Sequence, residues 1–387
     1  MTVDGGILRA MRRHWVGLFV AFAAMAAAQA GPSTQLPVWQ MQDSGTTAGL
    51  RGIDSVDGTV AWASGTGGEV LRTVDGGKHW TKCAVPDGDK DGGTLDFRGV
   101  QAWDAKTAIV MASGPGEKSR LYKTGDGCGT WKLVFKNPDK DGFWDALKFF
   151  DRDLGVLVGD PVDGKIFARL TSDAGMSWRR FFDEDTLKVG TLQAGIFAAS
   201  NSSLVLRSEN PNIVELVANV NGTAESYLAA FGENCDLPSS GKRSSCSLGW
   251  SWELPDDLPI PSDGKSRGVF SLAWDINKGW GIRVEVAVGG DYRHPENKTG
   301  TAAYTVDSGE TWHPSARPPH GYRSTVQWSE SLKVWITAGT NGSDISRDDG
   351  RTWQPLDDGN WNALSLPFIV GPNGRIGRLN AGALAKP

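Results

Sequence analysis

The stretch TVDGGKHW, Thr73 to Trp80, decides the fold. It closes an apolar run that ends at Arg72, turns on an Asp and two Gly, and lands on Trp. The same frame returns as TGDGCGTW (Thr124 to Trp131), TSDAGMSW (Thr171 to Trp178), TVDSGETW (Thr305 to Trp312) and SRDDGRTW (Ser346 to Trp353), all read as Ser/Thr-x-Asp-x-Gly-x-x-Trp. An Asp carboxylate in such a turn accepts bonds from turn amides, Gly supplies positive φ, and Trp sets a large apolar face on the following strand. Asp75, Asp126, Asp173, Asp307 and Asp348, with Trp80, Trp131, Trp178, Trp312 and Trp353, are therefore assigned a structural role.

The recurrence at roughly 40 to 50 residues, broken by one wide gap between Trp178 and Trp312, suits a ring of small sheets. Trp252 in SWELP fills the gap, and Trp39 in VWQMQ adds a seventh outer strand near the N-terminus. The expectation is an all-β, seven-bladed propeller over residues 31–387, its last blade completed by the N-terminal strand after GPNGRIGRL. Short runs such as TVAWASG, TAIVMASG and VWITAGT read as its strands, and the fourth blade lacks the octet.

Composition agrees with this class and excludes others. The 387 residues include 50 Gly and 17 Trp, the pattern of many turns and short strands. A net charge of -5 offers no general attraction for nucleic acid. Arg9, Arg12 and Arg13 precede the apolar run Trp15 to Ala28, and Ala28-Gln29-Ala30 follows, so residues 1–30 read as an export signal cleaved after Ala30. Met11 is an alternative start, Arg12-Arg13 hints at twin-arginine export, and a retained anchor is the competing reading. The mature chain is expected in the periplasm or secreted, monomeric, with no transmembrane segment, cofactor or metal.

In an oxidising compartment an even number of cysteines pairs. Cys235 and Cys246 bracket the polar segment at about 233–248 in the fourth blade and are assigned to one disulfide, which leaves Cys83 for Cys128. Sequons begin at Asn201, Asn221, Asn297 and Asn341.

A second register bears on function. Inner strands are read to start at LRGI (Arg51), FRGV (Arg98), WDAL (Asp145), SRGVF (Arg267), YRSTV (Arg323) and WNAL (Asn362). Outer-to-inner connections and second-to-third loops share one face of a propeller, so Arg51, Arg98, Arg267 and Arg323 are expected to converge around the channel. The loops GDPVDGK and GGDYRHPENKTG bring Asp160, Asp163, Asp291, Tyr292, Arg293 and His294 to the same rim. Guanidinium groups bind carboxylate or phosphate in two-point fashion, which points to an anionic guest. The competing reading is that these arginines only fill the channel.

The octets resemble the Asp-box, or BNR, repeat of sialidase-like propellers. Across residues 35 to 380 the pattern ASGTGGEVLRTVDGGKHW resembles the photosystem II stability and assembly factor propellers and their bacterial relatives of unknown role. That resemblance implies a non-catalytic, exported binder whose arginine patch, here Arg51, Arg98, Arg267 and Arg323, contacts a membrane-protein partner. The cysteine segment, the two long loops and the absent fourth octet mark a separate branch. The expected partner is an envelope protein client, or else an acidic saccharide, and catalysis is not expected. The runner-up is a sialidase-type glycoside hydrolase, for which Asp145, Asp160, Asp291 and Tyr292 are the available candidates. Adhesion through the same face is a third class.

Overall fold

The computed structural model describes residues 36–88, 90–163, 165–180, 194–207, 212–220, 222–235, 246–252, 256–278 and 282–384. The expected export signal and the polar segment between Cys235 and Cys246 lie outside them. Seven antiparallel sheets follow one another along the chain, as the octet spacing predicts. The first sheet is Leu50–Ser55, Ala61–Gly65, Val70–Thr73 and Thr81–Lys82. The last contains Ala363–Ser365, Phe368–Val370 and Ile376–Leu379, and takes Trp39–Gln42 as its outer strand. The first and last described strands thus meet in one sheet.

Second strands of the sheets, such as Ala61–Gly65, Ala108–Ala112 and Val334–Gly339, are buried at every residue. Both of their faces pack against neighbouring sheets, so they read as continuous apolar runs instead of alternating ones. Trp62, Trp144, Trp335, Trp353 and Trp361 fill the wedges between sheets and are almost fully buried. Successive sheets are also joined through the main chain: Arg323 N donates to Gly289 O (2.9 Å), Trp361 N to Gly339 O (3.0 Å) and Leu50 N to Gly371 O (3.1 Å). The last of these bonds joins the seventh sheet to the first.

In each octet the Asp accepts from the first-position hydroxyl, for example Thr73 Oγ1 to Asp75 Oδ1 (2.9 Å) and Ser346 Oγ to Asp348 Oδ1 (2.9 Å). The same hydroxyl accepts from the fifth-position amide, as Gly77 N to Thr73 Oγ1 (2.9 Å). This double use explains why only Ser or Thr opens the frame. The frame has one departure: Cys128 occupies the fifth position of the second octet, where the others have Gly. It takes φ of +73° there and forms the disulfide with Cys83, which ties the first sheet's outer edge to the second sheet's turn.

The fourth sheet departs from the expectation. Trp252 does not begin the outer strand but ends the strand Cys246–Trp252, opposite Ala229. The cause is the 13-residue strand Thr223–Cys235, whose length leaves room on one edge for both Cys246–Trp252 and Asp256–Pro261. Unpaired edge amides and carbonyls would otherwise need other partners. The register sets Cys235 opposite Cys246, while their side chains lie outside what is described. The sequon residue Asn201 is buried, exchanging bonds with Leu147 N (2.7 Å) and Leu147 O (2.9 Å), so it is not a glycan acceptor in the folded chain. Among the described residues no helix is long and apolar enough to cross a membrane.

Candidate functional site

The geometry of the predicted face is set by a repeated bulge at the start of the inner strands. Leu50 pairs with Gly65 and Gly52 with Ser64, which leaves Arg51 as the extra residue. Arg98 lies likewise between the pairs Phe97 with Ala112 and Gly99 with Met111, and Asp145 between Trp144 with Gly159 and Ala146 with Val158. A bulge releases one residue from the ladder and re-aims its side chain.

The second-strand glycine opposite fixes the register, because a Cβ on Gly65, Gly159 or Gly289 would come within 2.3, 2.3 and 1.9 Å of the carbonyl oxygens of Gly49, Phe143 and Gly268. In each case that carbonyl belongs to the residue just before the one that pairs with the glycine, Leu50, Trp144 or Val269. Gly339 meets Tyr322 O (2.1 Å) and Gly371 meets Asn360 O (2.3 Å) in the same way. Arg323 and Trp361 are therefore the counterparts of Leu50, and Ser324 and Asn362 are the counterparts of Arg51. In the fifth sheet the bulge falls on Phe270, between the pairs Val269 with Gly289 and Ser271 with Val288.

Two of the four expected arginines are displaced by this register. Arg323 stands one residue early, and its side chain is fully buried in the sixth sheet. There its Nε donates to Asp344 Oδ2 (2.7 Å), and Nη1 donates to Tyr322 O (2.6 Å) and Asn341 Oδ1 (2.7 Å). Arg267 stands three residues early, opposite Asp291, and pairs with the exposed Asp263 (2.9 Å). The four arginines do not form one ring.

Arg51 and Arg98 do come together, on one carboxylate. Arg98 Nε donates to Asp96 Oδ2 (2.8 Å), and Arg51 Nε lies 3.7 Å from the same oxygen. Both guanidiniums are roughly one-quarter to one-third exposed. Two cations on one anion leave a positive balance, and burial followed by the charge of Arg98 pulls the Arg51 pKa below its usual value. An incoming anion would relieve both effects.

Beside the pair lies an aromatic cluster that the sequence did not reveal. Phe197 and Phe270 stack with centroids 3.8 Å apart and planes within 6°, and Tyr322 meets Phe270 edge-on at 4.8 Å. Tyr292 packs edge-on against both phenylalanines and is 42% exposed. Arg98 bridges the two halves by donating from Nη1 to Ala198 O (3.4 Å), and it lies over the Phe143 ring at 5.6 Å. Phe270 takes the bulge position that Arg51 holds in the first sheet and Phe197 precedes the fourth sheet, so Asp96, Phe143, Phe197 and Phe270 become legible as site residues only once the sheets are in register.

The carboxylates expected at the rim divide. Asp145 is buried; burial, then the neighbouring Asp160, push it well above the ordinary carboxylate range, and Oδ2 has no hydrogen-bond partner. Asp160 is raised by burial and accepts from Ile196 N (3.0 Å). Asp291 accepts from Arg293 N (2.9 Å), an Asx corner within its own loop. Asp163 is exposed at a turn with φ of +51°. Arg293 lies over the Tyr292 ring at 6.0 Å, and His294 faces Glu296 at 3.8 Å, 68% exposed.

For sialidase chemistry this is a poor set. Two arginines converge instead of three, no described carboxylate hydrogen-bonds to Tyr292, and Tyr322 is buried with its pKa driven up by that burial. Among the described residues no group of three or more His, Cys, Asp or Glu is placed to hold a metal ion.

No protein-family model and no curated sequence matches the chain. Among solved structures the chain is similar to YCF48 bound to a D1 peptide, with a TM-score of 0.56 and 16% identity, over 89% of this chain and 97% of that one. It is similar to YCF48 from Cyanidioschyzon merolae with a TM-score of 0.55 and 17% identity, over 89% of this chain and 99% of that one. The chain shares with these proteins the seven-bladed propeller fold.

Proposed function

We propose that the chain is an exported, non-catalytic propeller whose recurrent Asp turns are BNR repeats, and that it binds an acidic segment of a protein client at the Arg51–Arg98 face. The observation that carries this reading is the pairing of two part-exposed guanidiniums on the single carboxylate of Asp96, next to the Phe197, Phe270 and Tyr292 rings. The cations suit a carboxylate of the client, and the rings suit an apolar or aromatic side chain beside it. That a YCF48 propeller of like fold is described as bound to a D1 peptide supports a peptide-shaped client. The reading places the protein in the periplasm or outside the cell.

The test is fluorescence anisotropy with labelled peptides of one sequence ending in either a free or an amidated carboxyl terminus and bearing an acidic or neutralised aromatic segment. The acidic peptides are expected to bind more tightly, and to weaken with added salt. The double variant Arg51→Ala/Arg98→Ala is expected to lose at least about tenfold in affinity, the worth of one charge-assisted contact. Equal binding of acidic and neutralised peptides, or turnover in a panel of sialosides and other glycosides that disappears with Asp160→Asn, would overturn the proposal.

A further inference from the structure

The end of the central channel opposite the Arg51–Arg98 face holds a cavity of about 590 Å³, walled by the far ends of the inner strands. A volume of this order lies within the range of small-molecule pockets. Its walls follow from the register. Asp54, Lys148, Gln327 and Ser365 hold one position, since each pairs with the residue three before the second-strand glycine of its own sheet. In three of these sheets the side-chain oxygen accepts an inner-strand amide of the next sheet: Asp54 Oδ2 from Ala102 N (2.6 Å), Gln327 Oε1 from Leu366 N (2.8 Å) and Ser365 Oγ from Ser55 N (2.9 Å). Lys148 breaks this relay, because an ammonium only donates. A ring that merely seams the sheets together calls for an acceptor there, as at the other three places.

One residue further along, the neighbouring fifth and sixth sheets present Trp274 and Trp328, again in equivalent register, and both line the cavity. Each indole is half-buried and is backed by a fully buried side chain, Arg207 at 5.8 Å over Trp274 and Trp335 at 5.0 Å from Trp328. The remaining ring surface is left to the cavity. In a ring of seven sheets taken in chain order, the boundary of the fifth and sixth faces the second across the channel. Asp54 and Lys148 come from the first and third, the sheets on either side of the second. The cavity therefore has an aromatic side and a polar side.

The polar side offers both donors and an acceptor. Asp54 and Lys148 act on each other's charge, so the pair is neutral as a whole. Asp54 Oδ2 is taken by Ala102 N and Gln101 Nε2 (3.0 Å), while Oδ1 accepts no hydrogen bond from the described residues. Gln327 has spent its oxygen on Leu366 and keeps its NH2 donors. At the mouth Glu330 is paired with Lys333 and accepts from Trp328 Nε1 (2.9 Å), and Asp275 on the same wall disfavours an acid. A saccharide matches such walls, because its hydroxyls both donate and accept and the C–H groups of a pyranose give it an apolar face for an indole. We infer that this cavity is a binding site for a neutral saccharide, its pyranose face laid against Trp274 and Trp328 and its hydroxyls bonded to Lys148, Asp54 and Gln327.

The test is isothermal titration of the full chain with maltose, cellobiose, lactose and diacetylchitobiose, and with glucuronate and choline as charged comparisons. At least one of the neutral disaccharides is expected to bind saturably, with glucuronate and choline at least about tenfold weaker. Lys148→Met is expected to lose about tenfold or more for that disaccharide, the worth of a charge-assisted bond. Arg51→Ala/Arg98→Ala should bind it as the native chain does. A readout on the native chain guards against misfolding of the variant: the disaccharide should protect Lys148 from reductive methylation, read by peptide mass mapping, without altering the labelling of Lys82 on the first sheet's outer strand. Absence of saturable binding by all four disaccharides at tens of millimolar, equal binding of glucuronate or choline, or undiminished methylation of Lys148 would overturn the inference. None of these outcomes depends on whether a peptide binds at the other face.

Discussion

Asp344 holds Arg323 by a two-point ion pair inside the sixth sheet, and neither side chain is exposed. His320 adds a contact from Nδ1 to Asp344 Oδ1 at 2.8 Å, and Asn341 closes the set. An arginine so committed is an internal clamp on the loop before the inner strand. Removing one partner of a buried pair strands the other charge and costs about 3 to 5 kcal/mol, whereas replacing both by apolar groups of similar volume costs far less. Asp344→Ala should therefore unfold at markedly lower urea than Arg323→Met/Asp344→Leu. The double variant should also leave acidic-peptide binding unchanged, which anisotropy would check.

The channel carboxylate Asp54 makes stability depend on pH. Burial raises it from 3.8 to about 6, although Lys148 and the Ala102 amide act against the rise. A carboxyl whose folded pKa exceeds its unfolded value stabilises the fold fully below the unfolded pKa. That contribution is lost as pH climbs through the folded pKa. Between pH 4 and 6.5 the native chain should lose up to about 3 kcal/mol relative to Asp54→Asn, less whatever solvent in the cavity screens. Urea titrations of both chains across this window give the difference directly. Parallel pH profiles would refute the assignment.

Ring closure rests heavily on one aromatic residue. Trp39 is 5% exposed, its Nε1 donates to Ser343 Oγ (3.0 Å) in the neighbouring sheet, and its ring packs 6.1 Å from Trp361. Trp39→Ala removes the packing and takes from Ser343 Oγ its indole donor, at a cost of about 3 to 5 kcal/mol. Hydrogen exchange should then speed up first in Ile376–Leu379, the strand that loses its neighbour's anchor.

The disulfide between Cys83 and Cys128 closes a span of 45 residues. Restricting the unfolded chain over that length is worth about 2 to 4 kcal/mol. Cys83→Ser/Cys128→Ser should retain the fold and lose about that much in denaturant unfolding, and reduction of the native chain should reproduce the loss.

The parts of this fold that were legible in the sequence are those whose chemistry is local. A Thr, an Asp and a Trp within eight residues build their own turn, so each octet announces itself wherever it stands. The inner-strand register is not local. Arg267 and Arg323 were aligned with Arg51 by the company they keep, RG and YR, while the true register is set by the second-strand glycines Gly289 and Gly339 approaching the carbonyls of Gly268 and Tyr322. Counting back from those glycines would have corrected both positions. Phe197 and Phe270 could not have been joined in the same way, since their stacking crosses from the approach to the fourth sheet to the start of the fifth.

Because Trp39–Gln42 pairs with Ile376–Leu379, the annulus cannot be sealed until synthesis has passed the last strand of the seventh sheet. Every earlier moment leaves two unsatisfied sheet margins, one at each extremity of a growing arc, and such margins invite pairing with foreign chains. A strand made early is thus among the last to find its place, and the molecule's vulnerability to aggregation should be concentrated in that interval of waiting.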